Sequence, residues 1–166
     1  MKINRALLSF GNTKTFEDSI DFSHAELNPS HIRKIEKCDV IVTANDYDDL
    51  LYLDIQINAV VIGVCSYSLE DVELKLNIKD QIVFSDNEDD EETYYCKDNI
   101  IDLDEYILGI LLANVPVKIV KKGAKLPKGG NDYRVITEDE YEQEKKKQPD
   151  PRWAKLDSVQ IPDDED

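Results

Sequence analysis

Apolar and polar residues alternate over long stretches between residues 40 and 84. The first stretch covers residues 40–44, the second residues 50–64 and the third residues 72–84. A period of two places alternate side chains on opposite faces of a β-strand. The pattern therefore predicts an antiparallel meander of strands with one buried face.

The second stretch is long for a single strand. A straight strand over residues 50–64 would extend roughly 50 Å, well beyond the usual length. Its apolar set also changes parity at Val60, where Val60, Ile62 and Val64 take over. We therefore expect a bulge or bend near Ala59, which would curve the sheet. The sequence leaves open whether the curved sheet closes into a barrel.

The clearest helical pattern lies at residues 102–114. Pro116 cannot continue the helix, and Asp102 is the expected N-cap, with Glu105 three residues later in a near capping box. We predict an α+β domain, in which a curved, mainly antiparallel sheet packs with this one amphipathic helix. The apolar residues that recur every three or four positions are Leu103, Tyr106, Ile107, Ile110 and Leu111.

Shorter elements are expected on either side of this core. We predict a partly exposed strand at residues 16–22, and a short helix at residues 23–35 interrupted by Pro29. Two further short strands are expected at residues 93–96 and 133–136.

We predict a single domain over residues 1–136, followed by a loosely attached carboxyl-terminal segment. Within residues 137–158, Thr137 and Glu140 form a capping box that opens a polar helix. A short helical segment follows, DPRWAKL, in which Trp153 and Leu156 can dock on the main body. Residues 159–166 are predicted to be a disordered acidic tail.

Charge and cysteine usage limit the class of protein. The chain has 20 Lys and Arg against 36 Asp and Glu, a net charge of −16 that repels nucleic acid at long range. Its three cysteines are far apart and odd in number, which indicates reduced thiols in the cytoplasm and no disulfide framework. With no signal peptide and no long apolar run, we expect no membrane span.

No motif for catalysis is present in the sequence. It has no phosphate loop, no dinucleotide fingerprint, no nucleophile elbow and no zinc-type cysteine pair. His24 and His31 are interpreted as surface residues and Cys65 as a small core residue. We therefore expect no enzyme activity, no cofactor and no bound metal.

Two charged segments stand out instead. Residues 86–92 hold six acidic residues, Asp86, Glu88, Asp89, Asp90, Glu91 and Glu92. Residues 118–128 hold five lysines and no acid, namely Lys118, Lys121, Lys122, Lys125 and Lys128.

The order of four sequence stretches resembles the YceD-like family, annotated for large ribosomal RNA subunit accumulation. These stretches are FEDSID, VCSYSLEDVELKLNI, IIDLDEYILGILLANVPVKIV and DPRWAKL, which together span roughly residues 16–156. ITEDE at residues 136–140 is similar to the short-tailed form of low-GC Gram-positive bacteria. The resemblance implies a ribosome biogenesis factor that supports accumulation of large-subunit (23S) ribosomal RNA, and not a known enzyme.

Two features depart from the pattern of this family. Many relatives carry a cysteine cluster after VPVK, whereas this chain has KKGAKLPKGG there, so no metal is carried over. Relatives often have an arginine in a C-x-R pattern, and here Tyr67 follows Cys65 at the matching distance. The role of that arginine therefore does not transfer.

Two mechanisms fit the residues. In the first, the lysines of residues 118–128 bind ribosomal RNA or a precursor particle, with Arg134, Arg152 and Lys155 as helpers. A local basic patch can act despite distant acids, because charges are screened over about 8 Å at physiological salt. In the second, the acidic residues of 86–92 escort a small basic ribosomal protein of the large subunit. The sequence does not indicate the oligomeric state.

Overall fold

The computed structural model describes residues 1–8, 13–47, 50–88 and 93–147. The chain forms two compact units, Met1–Gly123 and Ala124–Asp166. The elements of the first unit are β1 (Lys2–Asn4), a 3-10 helix (Arg5–Leu7), β2 (Thr13–Ser19), β3 (Ile32–Tyr47), β4 (Leu50–Val64), β5 (Asp71–Ser85), β6 (Tyr94–Tyr95), β7 (Ile100–Asp102) and α1 (Asp104–Ala113).

The main sheet has the strand order β2-β3-β4-β5-β6. Its first four strands pair antiparallel in sequence order, which confirms the predicted meander, and β6 pairs parallel to β5. Because β2 and β6 are free outer strands, the sheet is open and does not close into a barrel within the described residues. β1 and β7 form a separate two-stranded sheet that the sequence pattern did not predict.

The irregularity of the sheet lies in β3 and not in β4. β4 pairs with β5 in an unbroken register from Leu50 to Val64, so the bulge predicted near Ala59 is wrong. The register shifts instead in β3, between Ile32 and Lys34 and again between Ile35 and Lys37. In the sequence, the apolar set of β4 shifts from odd to even positions at Val60 because residues 60–64 are apolar on both faces of the strand.

These bulges also explain why the helix predicted at residues 23–35 is wrong. Residues 24–31 form turns and irregular structure, and β3 begins at Ile32. Each bulge adds a residue, so the buried residues Ile32, Ile35 and Cys38 recur every three positions. That spacing is the spacing of a helix face, and it is produced here by an irregular strand.

Helix α1 covers the apolar face of the sheet, as predicted. Ile107 and Leu111 are fully buried in one core with the apolar residues of β3 and β4. The helix begins at Asp104 with Leu103 as its N-cap, so the cap predicted at Asp102 and the box with Glu105 are wrong. The Asp102 carboxylate instead accepts the backbone N–H of Asp104 at 3.2 Å, just ahead of the helix.

The second unit contains helix α2 (Glu138–Lys147), which opens with the predicted capping box. The Glu140 carboxylate accepts the N–H of Thr137 at 2.9 Å, and the Thr137 hydroxyl accepts the N–H of Glu140 at 3.1 Å. Residues 133–136 are irregular, so the strand predicted there is wrong. The predicted DPRWAKL helix and the acidic tail lie outside the described residues. Within the described ranges, no helix combines the length and apolar composition that crossing a membrane requires.

Removing the Leu111 side chain should destabilise the first unit strongly. Leu111 is fully buried beneath α1, so Leu111→Ala should lower the free energy of unfolding by about 2–5 kcal/mol. Leu108→Ala is the matched control, because Leu108 lies on the same helix but is only partly buried and should lose less. Urea unfolding measures both, and a loss below about 0.5 kcal/mol for Leu111→Ala would contradict the packing of α1.

Candidate functional site

A segment of eight residues follows helix α1, and we call it the basic strap (residues 115–122). Val115 and Ile119 are buried at 6% and 2% exposure, whereas Val117 between them is 93% exposed. Ile119 packs over Gly63, where an added Cβ atom would lie 2.5 Å from the Ile119 Cδ1 atom. The two buried anchors therefore fix the strap to the core, and the intervening side chains point to solvent.

The turn that follows β4 holds the strap by its backbone. Ser66 donates its N–H to the carbonyl of Ile119 at 2.7 Å, and Lys121 donates its N–H to the Sγ atom of Cys65 at 3.3 Å. The Lys121 ammonium lies 3.2 Å from the Glu70 carboxylate. The strap is thus ordered by contacts with residues more than fifty positions earlier in the chain.

Cys65 is buried, as predicted, and its sulfur has a role that the sequence did not indicate. The Sγ atom accepts the backbone N–H of Lys121 and that of Ser68, the latter at 3.5 Å. Hydrogen bonds from Lys121 first, and then from Ser68 and Tyr67, lower the pKa of Cys65 to about 7, against the opposing effect of burial. The sulfur therefore joins the turn to the strap.

The strap presents a cation next to an aromatic ring. The ammonium of Lys118 lies 5.2 Å from the centre of the Tyr67 ring, within the range of a cation–π interaction. Tyr67 stands at the position where the family resemblance places an arginine, and here the nearby positive charge is that of Lys118. Lysine and tyrosine together suit a phosphate and an unpaired base.

The structure places the predicted RNA-contact residues in three groups. Lys118, Lys121 and Lys122 are exposed on the strap in the first unit. Arg134 in the second unit is paired with Glu144. Lys125 and Lys128 are exposed residues of the second unit, and Arg152 and Lys155 lie outside the described residues.

One of the acids predicted to contact a basic partner, Asp86, is bound to an arginine of this chain. Asp86 accepts a hydrogen bond from the Nη1 atom of Arg5, and Arg5 also binds both carboxylate oxygens of Asp46, at 3.0 and 3.2 Å. These hydrogen bonds raise the pKa of Arg5, and the bond to Asp46 has the larger effect. Glu88 is exposed, and the remaining predicted acids, Asp89, Asp90, Glu91 and Glu92, lie outside the described residues.

A groove of about 640 Å³ lies between β5, β6 and α1. Carboxylates of Asp80 and Glu105 line it together with Tyr94 and Tyr106, whose ring centres are 5.1 Å apart. Gly109 leaves it open, because a Cβ atom there would meet nothing within 4 Å. We call this the acidic groove. Carboxylates beside aromatic rings suit the side chain of a lysine or arginine.

Sequence reasoning missed the acidic groove, although one signal was present. Asp80 interrupts the apolar set of β5, between Ile78 and Ile82. A carboxylate at an apolar position marks the place where helix α1 leaves the sheet uncovered. The described residues contain no group of three or more His, Cys, Asp or Glu side chains that could hold a metal ion.

The fold and the strap define the class as an open α+β sheet protein that presents lysines from a restrained segment. The chain belongs to the YceD family, described as "Large ribosomal RNA subunit accumulation protein YceD", whose model matches residues 53–160. This match confirms the resemblance found in the sequence. It includes β4, β5, helix α1 and the basic strap.

A relative of similar length comes from Bacillus subtilis (strain 168). This chain is 28% identical over 159 residues to "Uncharacterized protein YlbN", and the match covers 90% of each chain. No solved structure matches the chain.

The lowered pKa of Cys65 predicts a pH-dependent stability. Its folded pKa of about 7 lies below the ordinary value of 9.0, so ionisation favours the folded state as pH rises from about 7 to about 9. The difference in unfolding free energy between wild type and Cys65→Ser should therefore grow across this interval and shrink as pH falls through 7. Urea unfolding at a series of pH values measures it, and a constant difference would contradict the lowered pKa of Cys65.

Proposed function

We propose that this protein supports the accumulation of large-subunit (23S) ribosomal RNA by binding the RNA, or a precursor particle that contains it, through the basic strap. The family description supplies the general role, accumulation of large-subunit ribosomal RNA. The proposed action is binding in the cytoplasm and not catalysis. The observation that carries the proposal is the ordered display of Lys118, Lys121 and Lys122 on the strap, with Lys118 over the ring of Tyr67.

Order matters because a flexible segment loses conformational entropy when it binds. The cost is about 1–2 kcal/mol for each backbone residue that becomes fixed. The strap has already lost much of this freedom through its buried anchors, Val115 and Ile119, and its bonds to the turn after β4. Phosphate contacts from the strap would therefore gain more net affinity than the same lysines in a free loop.

The charge of the whole chain does not prevent this contact. The net charge is −16, but at physiological salt the screening length is about 8 Å, so a phosphate at the strap senses mainly the nearest groups. Near the strap, Glu70 pairs with Lys121. Both side chains are about half exposed, and such surface pairs contribute only about 0–1 kcal/mol, so a phosphate can replace Glu70.

The ring of Tyr67 favours unpaired RNA over a regular duplex. Sequence-tolerant recognition of single-stranded RNA combines backbone phosphate contacts with stacking of bases on aromatic side chains. Tyr67 is partly exposed and lies directly below the Lys118 ammonium. When a phosphate draws the Lys118 ammonium away from this ring, the base of a nucleotide in a loop or a single-stranded end can stack on it.

Replacing the strap lysines Lys118, Lys121 and Lys122, together with Lys125 just after the strap in the sequence, by Gln should weaken binding to large-subunit RNA fragments; we call this the strap variant. Each lost phosphate contact flattens the dependence of log affinity on log salt by about 0.7 for single strands, so the slope should fall by roughly two to three. Filter binding or fluorescence anisotropy at several salt concentrations measures the affinity and the slope together.

A matched control separates local contact from total charge. Replacing Lys14, Lys34, Lys37 and Lys79 by Gln makes the same change in net charge at exposed positions of β2, β3 and β5, outside the strap. This control should keep the wild-type slope. Equal losses in the two variants would contradict a contact at the strap, and so would an unchanged slope in the strap variant.

The acidic groove supports a second candidate, an escort for a small basic ribosomal protein of the large subunit. Asp80, Glu105 and the two tyrosines offer a site for a basic side chain, whereas Asp86 is already bound to Arg5. In this mechanism the groove binds the basic protein before it joins the particle, and the strap is not required.

Filling the acidic groove tests this candidate without removing a charge. Gly109→Leu adds a side chain where the structure has open space, and leucine favours a helix by about 1 kcal/mol relative to glycine. The variant should remain folded and lose affinity for basic ribosomal proteins while its affinity for RNA is unchanged. Binding titrations with both partners measure this, and undiminished binding of the basic protein would exclude the groove as its site.

A further inference from the structure

Strand β5 has an open outer edge. The strand spans Asp71–Ser85, but β6 pairs only with Phe84 and Ser85. In the part of the chain that the structure describes, residues 71–83 therefore have no strand on their outer side. A row of unpaired backbone N–H and C=O groups of this length is a template for pairing with another strand.

The side chains of this edge have two distinct faces. Val72, Leu74 and Leu76 are half-buried and continue the apolar face that helix α1 covers further along the sheet. Glu73 and Lys75 are exposed on the opposite face, with their charged groups 3.4 Å apart. The edge therefore combines an apolar row with one acid and one base in alternation.

We propose that a second copy of this chain pairs antiparallel with β5, with a two-fold axis at Leu74. Leu74 then faces its own counterpart, and Val72 faces Leu76 of the second copy. On the opposite face, Glu73 of each copy lies across from Lys75 of the other. The paired segment covers residues 71–77, and the two sheets become one continuous sheet.

The sequence of the edge is what selects a second copy as the occupant. In this register every charged residue faces an opposite charge or, in the case of Asp71, the amide of Asn77. Facing pairs of opposite charge stabilise antiparallel strands, and facing like charges destabilise them. The charges of β5 are therefore complementary to those of a second β5 strand in antiparallel orientation, and no different protein is needed to match them.

Neighbouring registers lack this match. Moving the axis to Glu73 or to Lys75 places two like charges face to face at the centre of the pair. Moving it to Leu76 places Asp80 against Val72, on the apolar face. The register centred on Leu74 therefore satisfies both faces.

This pairing goes beyond the proposed RNA contact and leaves the acidic groove uncovered. Residues 80–82, which line the acidic groove, lie beyond the paired segment. A dimer carries two basic straps, so one RNA or particle can engage both, which raises the effective affinity without new contacts.

Sedimentation equilibrium of the full chain at physiological salt, from low micromolar to near-millimolar concentration, tests the proposal. Wild type should show a reversible monomer–dimer equilibrium. Glu73→Lys or Lys75→Glu alone creates two facing like-charge pairs in each homodimer and should weaken association by about tenfold. An equimolar mixture of these two variants should restore association, because every facing pair in the mixed dimer is again of opposite charge.

Lys79→Glu is the matched control, since it makes the same charge change on the same face of β5 but outside residues 71–77. It should leave the dimer constant unchanged. Both paired positions are more than half exposed, and thermal unfolding checks that each variant remains folded. A wild type that stays monomeric at every concentration would overturn the proposal. A dimer constant that Glu73→Lys and Lys75→Glu leave unchanged would also overturn it, and so would a mixture of the two variants that fails to associate.

Discussion

The burial of helix α1 on the apolar face of β4 is the interaction on which the rest of the structure depends. Ile107 and Leu111 contribute the helix side of this core, and the alternating apolar residues of β4 contribute the sheet side. This packing fixes where the helix ends, at Ala113, and therefore where the chain leaves it. Ile119 then reaches the sheet over Gly63, and the basic strap continues past this contact to the N–H of Lys121, which the sulfur of Cys65 accepts. The candidate function follows from this arrangement, because lysines on a segment anchored at both ends are held ready for a ligand.

The strap also shows how a chain with a large negative charge can present a local positive surface. The acids that dominate the composition are spread over the sheet, the loops and helix α2, whereas the strap itself carries no acid. Within the strap, Lys121 pairs with the Glu70 carboxylate, on the turn that Cys65 begins. That turn therefore has three roles: it anchors the strap by its backbone, it supplies the sulfur acceptor, and it provides the Tyr67 ring. The acidic remainder can limit nonspecific binding to nucleic acid, since its long-range field is repulsive.

The sequence predicted those strands and helices that are specified by residues close together in the chain. The alternation from Val40 to Phe84 gave the meander, the period of the 102–114 stretch gave α1, and Thr137 with Glu140 gave the start of α2. The failures concern features that depend on distant partners. The bulges of β3 are defined only by pairing with β4, and they made a strand look like a helix at Ile32 and Ile35. In the same way, the lysines of the strap were visible, but their anchoring by Cys65 and Gly63 joins segments more than fifty residues apart, and the acidic groove joins β5 to α1.

The central claim is that the strap touches RNA, and mapping of ultraviolet cross-links by mass spectrometry tests it most directly. The tagged full-length protein would be irradiated in cells, purified with its bound particle, and digested to identify peptides that carry a nucleotide. We expect nucleotide adducts on Tyr67 and on the peptide that contains Lys118, Lys121 and Lys122. Adducts confined to other surfaces, or a purified partner that is a basic ribosomal protein with no RNA adduct on the strap, would contradict this account.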